Sequence, residues 1–545
     1  MAAMSDKITD IAEIRRKVEE RREEEEKRIG GPKPPPGGGG TQIDSKFVRA
    51  CLRTNQHGDG ELFKALFRGK FLFCKSMDCW LRWAGHHWEI DKMGSAAAAI
   101  EKVADAYEAE AASIKAGLAS VSDKEMAKGL GALIDSLEKR ANQLRGDSRR
   151  QCCLKFAHTS EDPLAIDGVE LDSKPWLLPC ANGVIELRTG KFRPGRPDDF
   201  LLKASPVEWR GPDAPRDVWI GALTEIMAGD ADMVAFLQRL FGLAIVGKVI
   251  EKVFPVLTGP GGDNGKTTLI EGVSYALGPM AGPIPSEMLV AGFRHNSSGP
   301  SPDIMSLKGL RVAYASETED GAKVSAAMVK LLTGKDSLTG RWPNDKFPIT
   351  FEPCHTLFLL SNFKPKADSQ DKAFWSRMVN IPFTMRFLKN RAPSADNERP
   401  ADPHLDEKLK EQAPGILAWL VEGCLEWQRR GLDIPIKVRQ EGEEYQSGED
   451  DMGAFVEYCC FLSDDPLATA GATELYDLFW KWWKRFVGNF PPKQKRLGSY
   501  LRERFQYEKV GGLFKYYGIS INKGVAKELE PPEKEKQKSS SGYGP

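Results

Sequence analysis

The stretch VFPVLTGPGGDNGKTTLIEGVSYALG, Val253 to Gly278, carries the residue types and the order that phosphate chemistry requires. An apolar run, Val253 to Leu257, reads as a strand. A glycine-rich turn follows, and then a helix from about Lys266. Such a turn aims consecutive backbone N–H groups at phosphate oxygens, and the helix N-terminus adds partial positive charge. Gly259, Gly261, Gly262, Asn264 and Gly265 would form the cradle, with Thr268 completing the first helical turn. Lys266 would sit on the β- and γ-phosphates and the Thr267 hydroxyl on a metal ion, so ATP and Mg²⁺ are the expected cofactors. The plainer alternative, a glycine turn with a chance GKT, fits the ordered series of features less well. The loop is not standard, because Gly259 to Gly265 is one residue longer than the usual spacing. Pro260 also holds the nominal first-glycine position, where a fixed φ and a missing N–H are poor substitutes. The expectation is a one-residue bulge absorbed by Gly261 and Gly262, with Asp263 turned away from the phosphates.

Three further segments hold groups that such a site would use. LRVAYASETED, Leu310 to Asp320, is an apolar strand ending in acids. Such a site needs one carboxylate at the end of a neighbouring strand to hold Mg²⁺ and another to polarise the attacking water, and Glu317 and Glu319 could supply these. Two exposed acids in a turn are the plainer reading of that segment alone. In HTLFLLSNFKP a strand from His355 to Ser361 ends at Asn362, whose amide could hold the attacking water. DKAFWSRMVNIPF presents Arg377 in a mostly apolar run, where it could act as an arginine finger on a neighbouring subunit's nucleotide or serve as a structural ion pair.

The elements that must position these groups follow from pattern and composition. Charged residues are 28% and hydrophobic residues 41%, an ordinary globular balance for a chain long enough for two or three domains. Lys plus Arg and Asp plus Glu both number 77, so any nucleic-acid contact must come from a local basic patch. The ten cysteines lack metal-site spacing and read as reduced thiols in a cytosolic protein, placed in the cytoplasm of a host cell. No apolar run is long enough to span a bilayer, so no membrane partner is expected.

The boundaries read as a disordered charged head and Pro/Gly linker over 1–42 and a mixed α+β N-terminal domain over 43–211. A helical collar follows over 212–250, then an α/β core over 251–440, a C-terminal unit over 450–523 and a disordered tail over 524–545. Within the first domain, the aromatic run from Phe71 alternates like a small sheet, and Ala96 to Arg145 reads as a long helical pattern. PWLLPCANGVIELRTGKFRP reads as two strands around Thr189–Gly190. In the collar, Trp219, Leu223, Ile226 and Met227 share one face, as do Phe236, Leu237, Leu240 and Phe241.

TELYDLFWKWWKRFVGNFPPKQKRLGSYLRERF reads as helix, Pro-Pro turn, helix, and YEKVGGLFKYYGISI as two strands around Gly511–Gly512. From Lys481 to Lys515 there are ten Lys or Arg against two acids, the local basic patch that the neutral total conceals. A winged helix touching duplex DNA through Lys493, Lys495 and Arg496 fits this pattern. A helical packing unit with solvated cations is the alternative.

The run from Phe254 to Phe383 resembles the superfamily 3 DNA helicases, and specifically the phage/plasmid primase-helicase family that includes the poxvirus replication helicase. The matching pieces are GPGGDNGKTT, LKGLRVAYASETE, KLLTGKDSLTGR, FEPCHTLFLLSN and FWSRMVNIPF. The likeness extends upstream through LPCANGVIELRTGKFRP and downstream through PGILAWLVEGCLEWQRRGLDIP. It implies an α/β, AAA+-like P-loop NTPase core between an N-terminal helicase-associated domain and a C-terminal winged helix. Lys266 and Thr267 become Walker A, Glu317 with Glu319 Walker B, Asn362 sensor 1 and Arg377 the finger. KLLTGKDSLTGRWPNDKF is similar to the motif leading into a pore-facing hairpin, which makes Lys335 and Lys346 candidates for gripping DNA and Arg341 a group acting across the subunit interface. The implied function is a homo-hexameric, ATP-driven helicase moving 3′-to-5′ on single-stranded and forked DNA, with a separate primase or polymerase as a further partner. Two other classes stay open: a bifunctional primase-helicase, and a non-enzymatic replication scaffold with a worn-out ATPase, suggested by Pro260 and Asp263.

Overall fold

A computed structural model describes residues 43–119, 121–291, 300–316, 323–343, 348–463, 465 and 467–530. The charged head and Pro/Gly linker expected over 1–42 lie outside the described residues. The chain divides into two compact units, one running to residue 171 and one formed by 172–545 with a short insertion at 85–87. That division precedes the 211 boundary suggested by pattern.

The first unit holds α1 (Ser45–Arg53), α2 (Asn55–Phe67), β1 (Phe71–Cys74), β2 (Cys79–Trp83), β3 (Trp88–Ile90), α3 (Ile100–Leu118), α4 (Lys124–Leu144), α5 (Asp147–Thr159) and β4 (Ala165–Ile166). The aromatic run does form a sheet, ordered β3-β2-β1-β4. The stretch from Ala96 to Arg145 is not one helix. It breaks before α4, where the Asp123 carboxylate accepts the N–H groups of Glu125 and Met126 as an N-cap. The break lets Val103, Tyr107 and Ile114 of α3 share a core with Ile134, Leu137 and Ala141 of α4, whereas a single straight helix would leave both stripes in water.

The second unit begins with β5 (Leu177–Cys180), β6 (Gly183–Glu186) and β7 (Lys191–Arg193), one strand more than the pattern showed. The pair α6 (Asp217–Ile226) and α7 (Ala231–Ala244) follows. The central segment supplies β8 (Phe254–Thr258), α8 (Lys266–Leu277), β9 (Ala281–Pro283), β10 (Val312–Ser316), β11 (Leu338–Gly340), β12 (Ile349–Phe351), β13 (Thr356–Ser361), β14 (Met378–Pro382), β15 (Arg386–Leu388), β16 (Glu398–Pro400) and α9 (Ala413–Arg430). Five of these strands make a wholly parallel sheet ordered β14-β8-β13-β10-β9. All five residues of β8 are buried, as expected for a strand covered on both faces.

The acid-bearing strand β10 is therefore not next to the loop strand; β13 lies between them. An apolar run marks a strand as buried but carries no information about lateral order. The expected collar is likewise no separate layer. Trp219, Phe236, Leu240 and Phe241 are buried in the sheet's own core with Trp419 of α9, and Phe241 stacks on Phe358 of β13 with centroids 4.7 Å apart. Buried Arg311, just before β10, donates to the carbonyls of Ile245 and Leu177, tying β5 and the end of α7 to the sheet.

The last part has its own core around Phe455, Phe479, Leu501 and Tyr516. It holds α10 (Asp451–Cys459), β17 (Cys460–Leu462), β18 (Thr469–Gly471), α11 (Ala472–Phe486), α12 (Gln494–Arg504), β19 (Tyr507–Val510), β20 (Leu513–Tyr517) and β21 (Ile519–Ile521). The β19–β20 hairpin turns at Gly511 and Gly512, both at positive φ. The chain stays ordered past 523: Lys523–Glu528 is helical and Leu529 is buried, because Asn522 caps the helix and apolar residues continue beyond the polar pattern. All ten cysteines are unpaired. No described helix is long and apolar enough to cross a membrane.

His355, at the foot of β13, is 3% exposed, and burial pushes its imidazole down to about 4. The unfolded chain binds a proton below about 6.5 that the folded chain refuses until about 4. Stability is therefore fully present above pH 6.5 and is lost as pH falls toward 4, by about 3 kcal/mol at most. Chemical-denaturation midpoints of wild type and His355→Gln across pH 4–7 should show a steeper acid decline for wild type; parallel curves would contradict this account.

Candidate functional site

The polar ends of the parallel strands gather at one edge of the sheet. β8 runs into the glycine loop, and the Gly259 N–H donates to the Ser361 carbonyl at the end of β13 (3.2 Å), so loop and β13 terminus are joined. The bulge takes more positive-φ residues than the two glycines expected: Gly261, Gly262, Asp263 and Gly265 all adopt it. Gly265 has no alternative, since a Cβ there would also stand 2.6 Å from Ile226. Asp263 is side-chain exposed, 4.0 Å from the Lys389 ammonium, and makes no contact with Lys266.

Lys266 opens α8 and is 7% exposed. Its ammonium donates to the Gly259 carbonyl (2.9 Å), Asn264 Oδ1 (3.2 Å) and Asn362 Oδ1 (3.2 Å). Burial pulls its pKa below the usual lysine value. Asn362, expected at the strand end as the amide that holds the attacking water, is thus brought to the lysine. Asn264 is an anchor: buried to 2%, it donates to the Pro260 and Met385 carbonyls. The α8 N-terminus has no side-chain cap and no acid in its first turn, so its orphan N–H groups suit an anion. Thr267 is exposed on that first turn and Thr268 half-buried.

Arg377 is not at this edge. It precedes β14, and its carbonyl accepts the N–H of Phe254 at the start of β8. The glycine loop follows the other end of β8, about 15 Å away at strand rise. Its guanidinium donates to the Ala373 carbonyl (3.0 Å), while Nε is buried without a hydrogen-bond partner. Glu317, Glu319 and Lys346 lie outside the described residues. β11 and β12 do pair antiparallel, with exposed Lys335 before β11 and Arg341 directly after it, the Arg341 carbonyl accepting from the Ser301 N–H.

At the start of α12, Lys493 and Lys495 are exposed and line an open groove of about 780 Å³ with Lys323 and Lys366. Arg496 lines it too, but its charge is committed to Asp368 at 2.6 Å, which lowers its claim as a DNA contact. Sequence reading missed Asn380, fully buried in β14, where its amide accepts from Thr258 Oγ1 at 2.9 Å. It also missed Arg386. Asn380 could have been flagged as a polar residue inside an apolar run; Arg386 carried no such signal.

These features define a mixed α/β protein whose parallel sheet presents a caged lysine and an uncapped helix end at one edge. The family described as D5 N terminal like matches residues 60–228. A protein named as a helicase in Acanthamoeba polyphaga mimivirus is 27% identical over 476 residues, covering 84% of this chain and 49% of that protein. One named as a helicase in Frog virus 3 is 25% identical over 441 residues (66% and 44%), and one named as a primase in African swine fever virus 24% over 301 (52% and 31%). The chain spans about half or less of the length of these relatives. The solved C-terminal region of NrS-1 aligns at 13% identity and a TM-score of 0.40 over 69% of this chain and 90% of that one, too weak a likeness to carry weight. The matched domain and the viral relatives together support a D5-like primase-helicase family for this chain.

Proposed function

We propose that this chain is an ATP-dependent DNA helicase motor of the superfamily 3 type, working as a ring in the replication of a virus or other mobile element. The observation that carries the reading is the Lys266 ammonium, held between the glycine loop and Asn362 at the mouth of an uncapped helix. A buried cation, orphan N–H donors and a free hydroxyl are the donor set a Mg²⁺–triphosphate needs, so the residues fit that cofactor. The sheet supports an AAA+-like P-loop core, and the helix–helix–hairpin order of the last unit supports a winged helix.

ATP supplies a phosphoanhydride bond whose cleavage releases free energy. The chain's part is positioning. Lys266 and the loop N–H groups would neutralise the β- and γ-phosphates, the Thr267 hydroxyl and Glu317 would hold the metal, the Asn362 amide would orient the attacking water and Glu319 with Glu317 would polarise it. Lys335 and Arg341, which flank β11, would bear on the DNA strand together with Lys346, and Lys493 and Lys495 would bear on the duplex.

DNA-stimulated ATP hydrolysis and forked-DNA displacement by the full chain test this directly. Wild type should hydrolyse and unwind. Lys266→Ala should lose at least about two orders of magnitude in turnover, the order seen when a preorganised electrostatic group is removed. Equal, negligible rates for both would favour the scaffold instead. The relatives named as primases favour a second reading as a primase-helicase, which dinucleotide synthesis on single-stranded template by the same preparation would support.

A further inference from the structure

Arg386 stands beside the glycine loop, its side chain 42% exposed and its charge met only by a long ion pair. Its Cζ and Nε lie 4.0 Å from where a Cβ on Gly261 would be, which places the guanidinium beside the loop. Nε is buried without a hydrogen-bond partner. The acid nearest its Nη1, Glu398, is 4.0 Å away and already saturated. Both Glu398 oxygens are taken by Arg391, and the Ser394 N–H and hydroxyl add 2.9 and 3.1 Å bonds. Those contacts, Arg391's first, hold the Glu398 carboxyl well below the usual range.

The segment bearing Arg386 is fastened to the irregular part of the loop. The Phe387 N–H donates to the Asp263 carbonyl (2.8 Å), Asn264 Nδ2 donates to the Met385 carbonyl (2.9 Å), and Lys389 faces the Asp263 carboxylate. The Arg386 N–H donates to the Asn397 carbonyl (2.8 Å), fixing β15 from its other side. The additional residue in the loop is thus the point at which β15 docks, and docking sets the guanidinium beside Gly261.

We infer that Arg386 binds the phosphate chain of a nucleoside triphosphate held by the glycine loop of its own subunit, opposite Lys266. A guanidinium fork matches phosphate oxygens bidentately, and such an anion supplies what Nε and the weakly paired charge lack. The inference rests on the nucleotide reading proposed above. It also gives the extended loop a purpose: the inserted residue recruits a second cation.

The test is equilibrium binding of ATP and of AMP, each with Mg²⁺, to the full chain, measured calorimetrically. AMP lacks the two outer phosphates. Arg386→Ala should weaken ATP binding about tenfold or more, the order expected for losing a hydrogen-bonded charge contact, and leave AMP unchanged. Arg386→Lys should recover part of the loss, keeping charge without the fork. Melting temperatures without nucleotide report whether each variant is folded; if the alanine variant is not, a lowered ATP-to-AMP preference in Arg386→Lys decides. ATP binding by Arg386→Ala equal to wild type, or an equal loss of ATP and AMP, overturns the inference. If Lys266→Ala then still loses ATP, the nucleotide reading survives alone; if folded wild type binds no ATP, both fall.

Discussion

Arg377→Ala is expected to cut ATP turnover by roughly three orders of magnitude, the range for losing an arginine finger, while ATP affinity stays within a few-fold of wild type. The reason is position. Arg377 leads into β14 at the end of the sheet away from the glycine loop, about 15 Å along β8 at strand rise, so it cannot serve the nucleotide of its own chain. On the proposed ring reading it serves the neighbour's, and Lys266 serves its own. Two inactive variants should then complement. Mixing Arg377→Ala with Lys266→Ala should restore a measurable fraction of turnover, because some interfaces pair an intact loop with an intact finger. Mixtures no more active than either variant, at concentrations where wild type assembles, would remove the finger assignment and leave Arg377 as the cap on Ala373 that its hydrogen bond shows.

The second large effect is on stability. Helices α7 and α9 cross with backbones in contact at Gly242 and Gly423: a Cβ on Gly242 would stand 2.1 Å from the Gly423 carbonyl carbon, and one on Gly423 2.0 Å from the Gln238 carbonyl oxygen. Backbone cannot step aside as a flexible side chain can. Gly423→Ala should therefore cost about 3 kcal/mol, at the upper end of overpacking. Gly221→Ala in α6, with nothing within 4 Å of its Cβ, is the control and should be neutral or stabilising by up to about 1 kcal/mol through helix propensity. Urea unfolding of the three proteins decides it; equal midpoints for Gly423→Ala and wild type would show that the helices can separate freely. The consequence reaches the site, because Trp219 of the neighbouring α6 packs both on Trp419 of α9 and against Gly272 of α8, the helix that begins at Lys266.

Local chemistry was legible without coordinates wherever a short segment has only one good use. A glycine run between an apolar strand and a helix beginning Lys-Thr-Thr had to be a strand–loop–helix turn, and it is. The Gly511–Gly512 hairpin and the helix pair around Pro491–Pro492 were equally readable, because positive φ and proline leave few alternatives. The resemblance to the primase-helicase family was read from the glycine run and the motifs that follow it in order, whereas the family match itself falls upstream, on residues 60–228.

What depends on lateral or distant pairing was not. The order β14-β8-β13-β10-β9, which puts Asn362 rather than the acidic strand beside the loop, is set by packing among buried strands whose sequences are interchangeable in hydrophobicity. The break within Ala96–Arg145 that separates α3 from α4 came from one capping aspartate and a stripe that needed a partner. Arg377 and Arg386, nine positions apart in sequence, looked alike as cations; only the fold sends one to the foot of the sheet and the other beside the glycine loop. Periodicity specifies which face of an element is buried. Which element lies opposite, and so which charges meet, is decided by the closure of the whole core.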